Sequence, residues 1–233
     1  MGAIERVIIS GGGTGGHIHP ALAIADEIKR RNPSCSIQFV GALGRMEMTK
    51  VPAAGYDIEG LWISGIERKI TSIKNLSFPF KLLSSLFKAG KLLRRHKPQI
   101  VIGVGGFASG PILFRASRKG IPTLIQEQNS FPGITNRILA KKVDKVCAGF
   151  PGLSRWFPSE KITETGNPLR NEVLKLLKAS NVEGAAEHFK LSSDKPIVFV
   201  MGGSLGAASI NSAVKKMIED FILKGEAPYS IIW

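Results

Sequence analysis

The sequence places one histidine at the end of a glycine-rich loop. Residues 11–17 read GGGTGGH, with five glycines in seven positions, and His17 closes the run. Glycines let a backbone approach a ligand closely, and the N–H groups at a helix start attract anions. The same positive helix end disfavours an imidazolium, so we expect His17 to remain a neutral base. The residues predict an anion site beside a proton acceptor; the alternative is a tight strand-to-helix turn that binds nothing.

Two further loops have similar composition. GVGGFASGP at 103–111 also lies between a strand and a helix, with Ser109 as a candidate N-cap; the alternative is a turn of purely structural glycines. GGSLGA at 202–207 is the third loop. A Walker loop is excluded because no Gly-Lys-Ser/Thr follows the first glycines, and the spacing is unlike the dinucleotide fingerprint. The third loop would face the first two across a cleft, which would suit an extended ligand with phosphates in its middle.

A polar cluster ends the next predicted strand. QEQN at 126–129 supplies four hydrogen-bonding side chains where a crevice would open, or alternatively ordinary loop groups that cap the following helix. Arg170 follows a Gly-Asn-Pro turn, and it is predicted to pair either with a phosphate or with a nearby acid. Spacing alone does not choose between these two partners.

Alternating strand and helix patterns must position these loops. The pattern predicts strands at 6–10, 36–41, 99–105, 122–126 and 144–150, and helices at 20–31, from about 111 and from about 134. Such alternation predicts the α/β class with a doubly wound parallel sheet, whose loops meet at the carboxyl ends of the strands. We expect one domain at 1–165 and another at 166–233. The second is expected to be incomplete, because a parallel sheet whose first strand begins near 197 needs several more strands to bury both of its faces.

The charge of the chain is concentrated in one segment. The net charge is +14, and no Asp or Glu occurs between Arg68 and Gln126. The basic segment from Lys69 to Lys97 predicts an amphipathic helix from about Phe78. One predicted face carries Leu82, Leu83, Leu86, Phe87 and Leu93, and the other carries Lys81, Ser84, Ser85, Lys88, Lys91 and Arg95. Such a helix suits an anionic membrane surface or, equally, a solvated surface helix over the sheet.

Composition also limits the protein class. No apolar stretch is long enough to span a bilayer, the N-terminus is unlike a signal peptide, and two cysteines in apolar contexts favour a reducing cytoplasm. Nucleic acid is not an expected partner, because the basic residues are not interleaved with exposed aromatic residues and no reader motif appears.

The ordered set of motifs resembles the bacterial MurG family of UDP-N-acetylglucosamine transferases. The resemblance runs through GGGTGGHIHPALAIA, GRMEMTKVPAAGY, ISGIERK, GVGGFASGP, QEQNSFPGITN, GNPLR and GGSLGA. It implies a GT-B architecture of two Rossmann-like domains, the first for the lipid I acceptor and the second for the UDP-GlcNAc donor. It also implies inverting transfer to make lipid II for peptidoglycan synthesis, with no cofactor and no metal, at the cytoplasmic face of the cell membrane. Other cell-wall synthesis proteins are possible partners.

The resemblance assigns residues to three roles. His17 is implied as the base that deprotonates the acceptor's C4 hydroxyl. Donor contacts are implied for Thr14, Gly15, Gly16, Asn129, Arg170 and Ser204. Acceptor contacts are implied for Gly12, Gly13, Gly105, Gly106, Phe107, Ser109 and Glu127, and membrane contacts for Phe80, Lys81, Leu83, Phe87, Lys88 and Lys91.

The chain departs from the family in two respects. Phe107 stands where relatives often have Tyr, and the sequence ends at Trp233, before the family's uracil, ribose and GlcNAc contacts. A rival hypothesis is therefore a non-catalytic module that binds a lipid pyrophosphate and docks on the membrane, as half of a split or truncated transferase.

Overall fold

The computed structural model describes residues 4–65, 76–178, 184–191, 195–202 and 206–233. The chain divides into two compact units, Met1–Leu174 and Lys175–Trp233. Each unit is described by itself below. Within the described ranges, no helix combines the length and the apolar composition that would span a bilayer.

The first unit contains a parallel sheet of seven strands in the order β3-β2-β1-β4-β5-β6-β7. The order reverses between β1 and β4, so a crevice opens at the carboxyl ends of these two strands. The strands are β1 (Arg6–Ser10), β2 (Ser36–Ala42), β3 (Asp57–Leu61), β4 (Ile100–Gly103), β5 (Thr123–Glu127), β6 (Lys145–Ala148) and β7 (Ile162–Glu164).

Helices cover both faces of this sheet. They are α1 (Gly15–Arg31), α2 (Glu47–Ala53), α3 (Phe78–His96), α4 (Ser109–Ser117) and α5 (Ile134–Leu139). Alternate residues of β1 enter separate cores, because Val7 and Ile9 pack with α1 and α2 whereas Ile8 packs with α3, α4 and α5. Two 3-10 turns, Leu153–Arg155 and Ser159–Lys161, precede β7.

The predicted α/β class and the strand-helix alternation are confirmed. The sequence pattern missed α2 and β3, which are short and carry mixed composition between residues 47 and 61. It also placed the start of α1 too late. The helix begins at Gly15 instead of Pro20, so the second half of the glycine loop and His17 lie in its first turn.

The faces of α3 differ from the predicted ones. Ser85, Ala89, Leu92 and Leu93 are buried against the sheet, whereas Leu83 and Phe87 are exposed. The prediction of Ser85 on the polar face is wrong, because its hydroxyl donates to the carbonyl of Trp62 at 2.9 Å. Apolar residues surround the first half of the helix, and periodicity could not show which side packs.

The second unit contains a pair of parallel strands. These are β8 (Ile197–Phe199) and β9 (Ser230–Ile232), joined through α8 (Ala208–Lys224). The boundary between the units falls within α6 (Asn171–Lys178), and α7 (Ala185–His188) follows. Of the predicted helical stretch 171–190, residues 179–183 lie outside the described residues. The boundaries predicted for the two domains stay a prediction.

Candidate active-site crevice

The first two glycine loops meet at the carboxyl ends of β1 and β4. Gly106 has φ +86°, and a Cβ atom built there would lie 2.4 Å from the carbonyl oxygen of Gly12. Gly105 has φ +99°, and a Cβ atom there would lie 2.7 Å from Nε2 of His17. Only glycine permits this approach and this backbone conformation. The structure thus brings together the two loops that the sequence predicted to converge.

His17 is held in one orientation by its own loop. Its Nδ1 atom lies 3.1 Å from the carbonyl oxygen of Gly12 and 3.3 Å from Oγ1 of Thr14. Because a carbonyl only accepts hydrogen bonds, Nδ1 carries the proton and Nε2 is left as an acceptor towards Gly105. Burial lowers the pKa of His17, and the bond to Gly12 and the charges of Glu127 and Glu47 oppose that shift only in part. Burial therefore favours the neutral form of the imidazole.

The buried carboxylate of Glu47 binds the first glycine loop, and the sequence patterns did not predict this contact. Its side chain is 1% exposed at the start of α2. Oε2 accepts the N–H of Gly13 at 2.8 Å, and Oε1 accepts the N–H of Ala42 at 3.0 Å. The available signal was an acid placed just after the end of β2, next to the strand that precedes the glycine loop. The Gly13 N–H is thus occupied within the protein and does not point at a ligand.

The packing around Glu47 explains why glycine occupies positions 12 and 41. A Cβ atom at Gly12 would lie 2.1 Å from the carboxyl carbon of Glu47, and one at Gly41 would lie 2.6 Å from its Cγ atom. Side chains at either position would displace the carboxylate. The carboxylate and the glycine loop therefore pack as one unit.

Glu127 closes the loop that follows β5. Its side chain is 1% exposed, and its oxygens accept bonds from within the loop. Oε1 accepts the backbone and side-chain N–H groups of Asn129 at 3.0 and 3.2 Å, and Oε2 accepts from Asn136 at 2.8 Å and Gly133 at 3.2 Å. This carboxylate positions Asn129 and the loop backbone.

A network of amide side chains connects the Gly-Asn-Pro turn to the ends of β4 and β5. Gln126 donates to Asn167 at 3.2 Å, and Asn167 donates to the carbonyl of Gln128 at 3.0 Å. Gln128 in turn donates to the carbonyl of Val104 at 3.0 Å, at the end of β4. The Gly-Asn-Pro turn is therefore fixed to the strands that form the crevice.

The second glycine loop differs from its prediction at Ser109. Ser109 is the first residue of α4 rather than its N-cap, which is Ala108, and its buried hydroxyl donates to the Gly106 carbonyl at 2.8 Å. The hydroxyl satisfies a carbonyl within the tight loop instead of a free helical N–H. Phe107 is 44% exposed, and a Cβ atom at Gly65 would lie 2.3 Å from the tip of its ring. The ring therefore packs on the backbone after β3.

The predicted donor residues that the structure describes lie at different places in the first unit. Thr14 is exposed and immediately precedes α1, and Gly15 and Gly16 form the first turn of that helix. Of the two partners predicted for Arg170, the structure shows an acid, because its Nε atom lies 3.9 Å from Asp26 on α1. Asp26 also accepts the Tyr56 hydroxyl at 2.7 Å, and burial together with this bond raises the pKa of Tyr56. Ser204 lies outside the described residues.

The residues predicted to touch a membrane divide into two groups. Phe80, Leu83 and Phe87 are more than 60% exposed, and the Lys91 ammonium lies 4.8 Å from the centre of the Phe87 ring. Lys81 and Lys88 point the other way. Lys81 donates to the Ser64 hydroxyl at 3.1 Å, and Lys88 donates to the Gly60 carbonyl of edge strand β3 at 2.8 Å.

The part of the chain that the structure describes contains no group of three His, Cys, Asp or Glu side chains that could hold a metal ion.

Curated relatives are similar in sequence to almost the whole of this chain. Two are named UDP-N-acetylglucosamine–N-acetylmuramyl-(pentapeptide) pyrophosphoryl-undecaprenol N-acetylglucosamine transferase. The one from Christiangramia forsetii is 57% identical over 98% of this chain, and the one from Cytophaga hutchinsonii is 54% identical over 98%. The chain spans about 60% of the length of these curated relatives.

Solved structures show the same fold. The crystal structure of Acinetobacter baumannii MurG matches with a TM-score of 0.68 and 28% identity, over 93% of this chain and 57% of that one. A Neisseria meningitidis UDP-GlcNAc 2-epimerase bound to UDP-GlcNAc matches with a TM-score of 0.61 at 13% identity, over 97% of this chain and 71% of that one. The second likeness concerns the fold alone.

These matches confirm the predicted resemblance to the MurG family and the GT-B type of the first, Rossmann-like unit. Residues 7–148 match the model of the glycosyltransferase family 28 N-terminal domain, and the chain belongs to that family.

Proposed function

We propose that the protein to which this chain belongs transfers GlcNAc from UDP-GlcNAc to lipid I, undecaprenyl-pyrophosphoryl-MurNAc-pentapeptide. The product would be lipid II for peptidoglycan synthesis, on which cell-wall growth, cell shape and cell division depend. The observation that carries the proposal is the orientation of His17. Its Nδ1 is bound to the Gly12 carbonyl, so its Nε2, which lies beside Gly105 in the crevice between the glycine loops, is the nitrogen proposed to accept a proton. The names of the relatives supply the substrates.

The chemistry follows from this geometry. Nε2 of His17 accepts the proton of the acceptor's C4 hydroxyl as its oxygen attacks the anomeric carbon of GlcNAc from the opposite side to UDP. The new glycosidic bond forms as the bond to UDP breaks, so configuration inverts and UDP leaves with the bonding electrons. The N-terminus of α1, at Gly15 and Gly16, would stabilise the negative charge of the departing diphosphate.

The binding roles fall into direct and indirect contacts. Direct donor contacts are proposed for Thr14, Gly15, Gly16, Asn129, Arg170 and Ser204. Direct acceptor contacts are proposed for Gly12, Gly105, Gly106 and Phe107. For Gly13, Ser109 and Glu127 the proposal is a positioning role, since their polar groups are bonded within the loops. No metal or other cofactor is part of the proposal.

The test is transfer of labelled GlcNAc to a lipid I analogue, by this chain alone and with a separately supplied C-terminal half of a relative. We expect turnover in at least the second case, and His17→Ala should lower it about 10²–10⁴-fold. His19→Ala is the matched control, because His19 is exposed on the same helix turn and should keep near-normal turnover. Near-normal turnover of His17→Ala would refute the base. No turnover in either case, while the lipid I analogue still binds, would favour the hypothesis of a non-catalytic module that binds a lipid pyrophosphate and docks on the membrane.

We also propose that α3 binds the cytoplasmic face of the cell membrane as a peripheral contact. Phe80, Leu83 and Phe87 expose large apolar side chains along one stripe, and Lys91 lies beside them. Apolar insertion combined with attraction of lysines to anionic headgroups is the usual basis of interfacial helix binding. Cell-wall synthesis proteins are proposed as further partners at that surface.

Sedimentation with vesicles tests this contact. The double variant Leu83→Gln and Phe87→Gln should bind vesicles containing phosphatidylglycerol at least tenfold more weakly, because it removes two inserted side chains. Leu223→Gln is the control, since Leu223 is 86% exposed on α8 in the second unit. Equal binding by the double variant and the control would refute a membrane role for the α3 stripe.

A further inference from the structure

Glu47 and His17 bond to opposite ends of a single peptide group. The carboxylate of Glu47 accepts the N–H of Gly13 at 2.8 Å, and Nδ1 of His17 lies 3.1 Å from the carbonyl of Gly12. These two groups belong to the peptide bond between Gly12 and Gly13. No cis bond occurs in the part of the chain that the structure describes, so the N–H and C=O of this peptide point in opposite directions.

We infer that Glu47 is a positioning residue for His17, acting through the Gly12–Gly13 peptide as a carboxylate–peptide–imidazole relay. The inference rests on the proposed function, in which His17 is the base. A carboxylate bonded to a peptide N–H polarises that peptide and makes its carbonyl a stronger acceptor. A stronger acceptor at Gly12 fixes the proton on Nδ1 and leaves the lone pair on Nε2, which is the task that a directly bonded Asp performs for a catalytic histidine.

Glu47 is buried and held in place by its neighbours. It is 1% exposed, so it cannot meet a ligand in the crevice directly. Its second oxygen accepts the N–H of Ala42 at 3.0 Å, which anchors the carboxylate to the end of β2. The packing against Gly12 and Gly41 fixes its position. A carboxylate held this rigidly can hold the peptide, and through it the imidazole, in one geometry.

The charge of Glu47 also affects the pKa of His17. The charged groups that face the imidazole are Glu47 from α2 and Glu127 from the end of β5, and both raise the pKa of His17 against the opposing effect of burial. Loss of the Glu47 charge, or a weaker bond from Nδ1 to Gly12, should therefore lower the pKa of His17 further.

The first experiment needs no substrate. Long-range ¹H–¹⁵N NMR of the imidazole in this chain reports which nitrogen of His17 carries the proton. We expect the Nδ1–H tautomer in the wild type, and a several-fold larger share of the Nε2–H tautomer in Glu47→Gln, together with a lower pKa. Gly13 and Ala42 bond to different oxygens of Glu47, and glutamine replaces one of these oxygens with an NH₂ group that cannot accept.

A matched control separates this effect from a general loss of stability. Asp144 also accepts a backbone N–H, that of Thr123 at 2.8 Å, and Asp144→Asn should leave the tautomer of His17 unchanged. In the transfer assay, Glu47→Gln should lower kcat about 10–100-fold, the range found when a carboxylate that orients a metal-bound histidine is lost, with little change in the KM for UDP-GlcNAc. Glu47→Asp keeps the charge on a shorter side chain and should give an intermediate tautomer ratio.

The outcomes are decisive in both directions. A wild type that carries the Nε2–H tautomer, or a folded Glu47→Gln or Glu47→Asp variant with an unchanged tautomer and pKa of His17, would overturn the relay. If both variants fail to fold, an Nε2–H tautomer in the wild type would still overturn the relay. The proposed function fails separately, through near-normal turnover of His17→Ala, and that result would leave the tautomer measurement intact.

Discussion

Replacing Gly106 by alanine tests the contact between the two glycine loops. The new Cβ atom would lie 2.4 Å from the Gly12 carbonyl oxygen and 3.0 Å from the Gly12 nitrogen, both backbone atoms that cannot rotate away. Gly55 is a control with nearly the same positive φ, +85° against +86° for Gly106, and nothing lies within 4 Å of its position for a Cβ atom.

The difference between the two variants isolates the steric contact. Both pay about 1–2 kcal/mol for a non-glycine residue in the left-handed region. Gly106→Ala must also push the two loops apart, and overpacking of this kind costs about 1–3 kcal/mol more. We therefore expect the free energy of unfolding of Gly106→Ala to lie about 1–3 kcal/mol below that of Gly55→Ala.

Urea unfolding followed by circular dichroism measures both free energies in the same buffer. Equal destabilisation by the two variants would show that the loops are not in contact in solution, and the crevice geometry derived from that contact would be wrong. A second readout follows from the same substitution. Because Gly12 holds the imidazole, Gly106→Ala should also shift the ¹⁵N resonances of His17, whereas Gly55→Ala should not.

Three further predictions concern other contacts. Burial lowers the pKa of His17 in the folded protein below its ordinary 6.5. The stability that the neutral imidazole contributes is therefore complete above pH 6.5 and is lost as the pH falls from 6.5 towards the folded pKa. Urea unfolding at several pH values should show this loss of stability in the wild type and not in His17→Gln. Glu127→Gln should make the Gly133 amide exchange with solvent about tenfold faster or more, measured by hydrogen exchange, because it weakens a charged acceptor. Arg137→Met should lower the melting temperature by about 2–4 °C, because the guanidinium lies 4.9 Å from the Trp156 ring and such contacts contribute about 1 kcal/mol.

Local patterns predicted the elements that position the crevice. The apolar strands around residues 8 and 101 and the glycines after them are short-range signals, and the carboxyl ends of parallel strands converge by topology. The convergence of Gly12, Gly105 and Gly106 could therefore be expected before any coordinates. A lowered pKa for His17 was also expected from its place at a helix start, and burial in the structure lowers that pKa.

Long-range contacts decide the features that the sequence did not reveal. Glu47 reads as an ordinary acid at a helix start, and its function depends on the peptide of a loop that precedes it by more than thirty residues. The packed side of α3 depends on which strand it covers, since leucines and phenylalanines occur around its first half. Ser109 resembles an N-cap, yet the loop geometry directs its hydroxyl to the carbonyl of Gly106.

The strand order has a consequence for the way this chain folds during synthesis. β1 is synthesised before β2 and β4 and lies between them in the sheet, where Val7 pairs with Ile37 on one side and with Ile100 on the other. The β2 side can form early, whereas the opposite edge of β1 stays open until β4 has left the ribosome. Distant pairings of this kind slow folding, and an open apolar edge invites association with other chains. Between the synthesis of β2 and that of β4, a nascent chain therefore exposes an unpaired apolar strand edge to other chains.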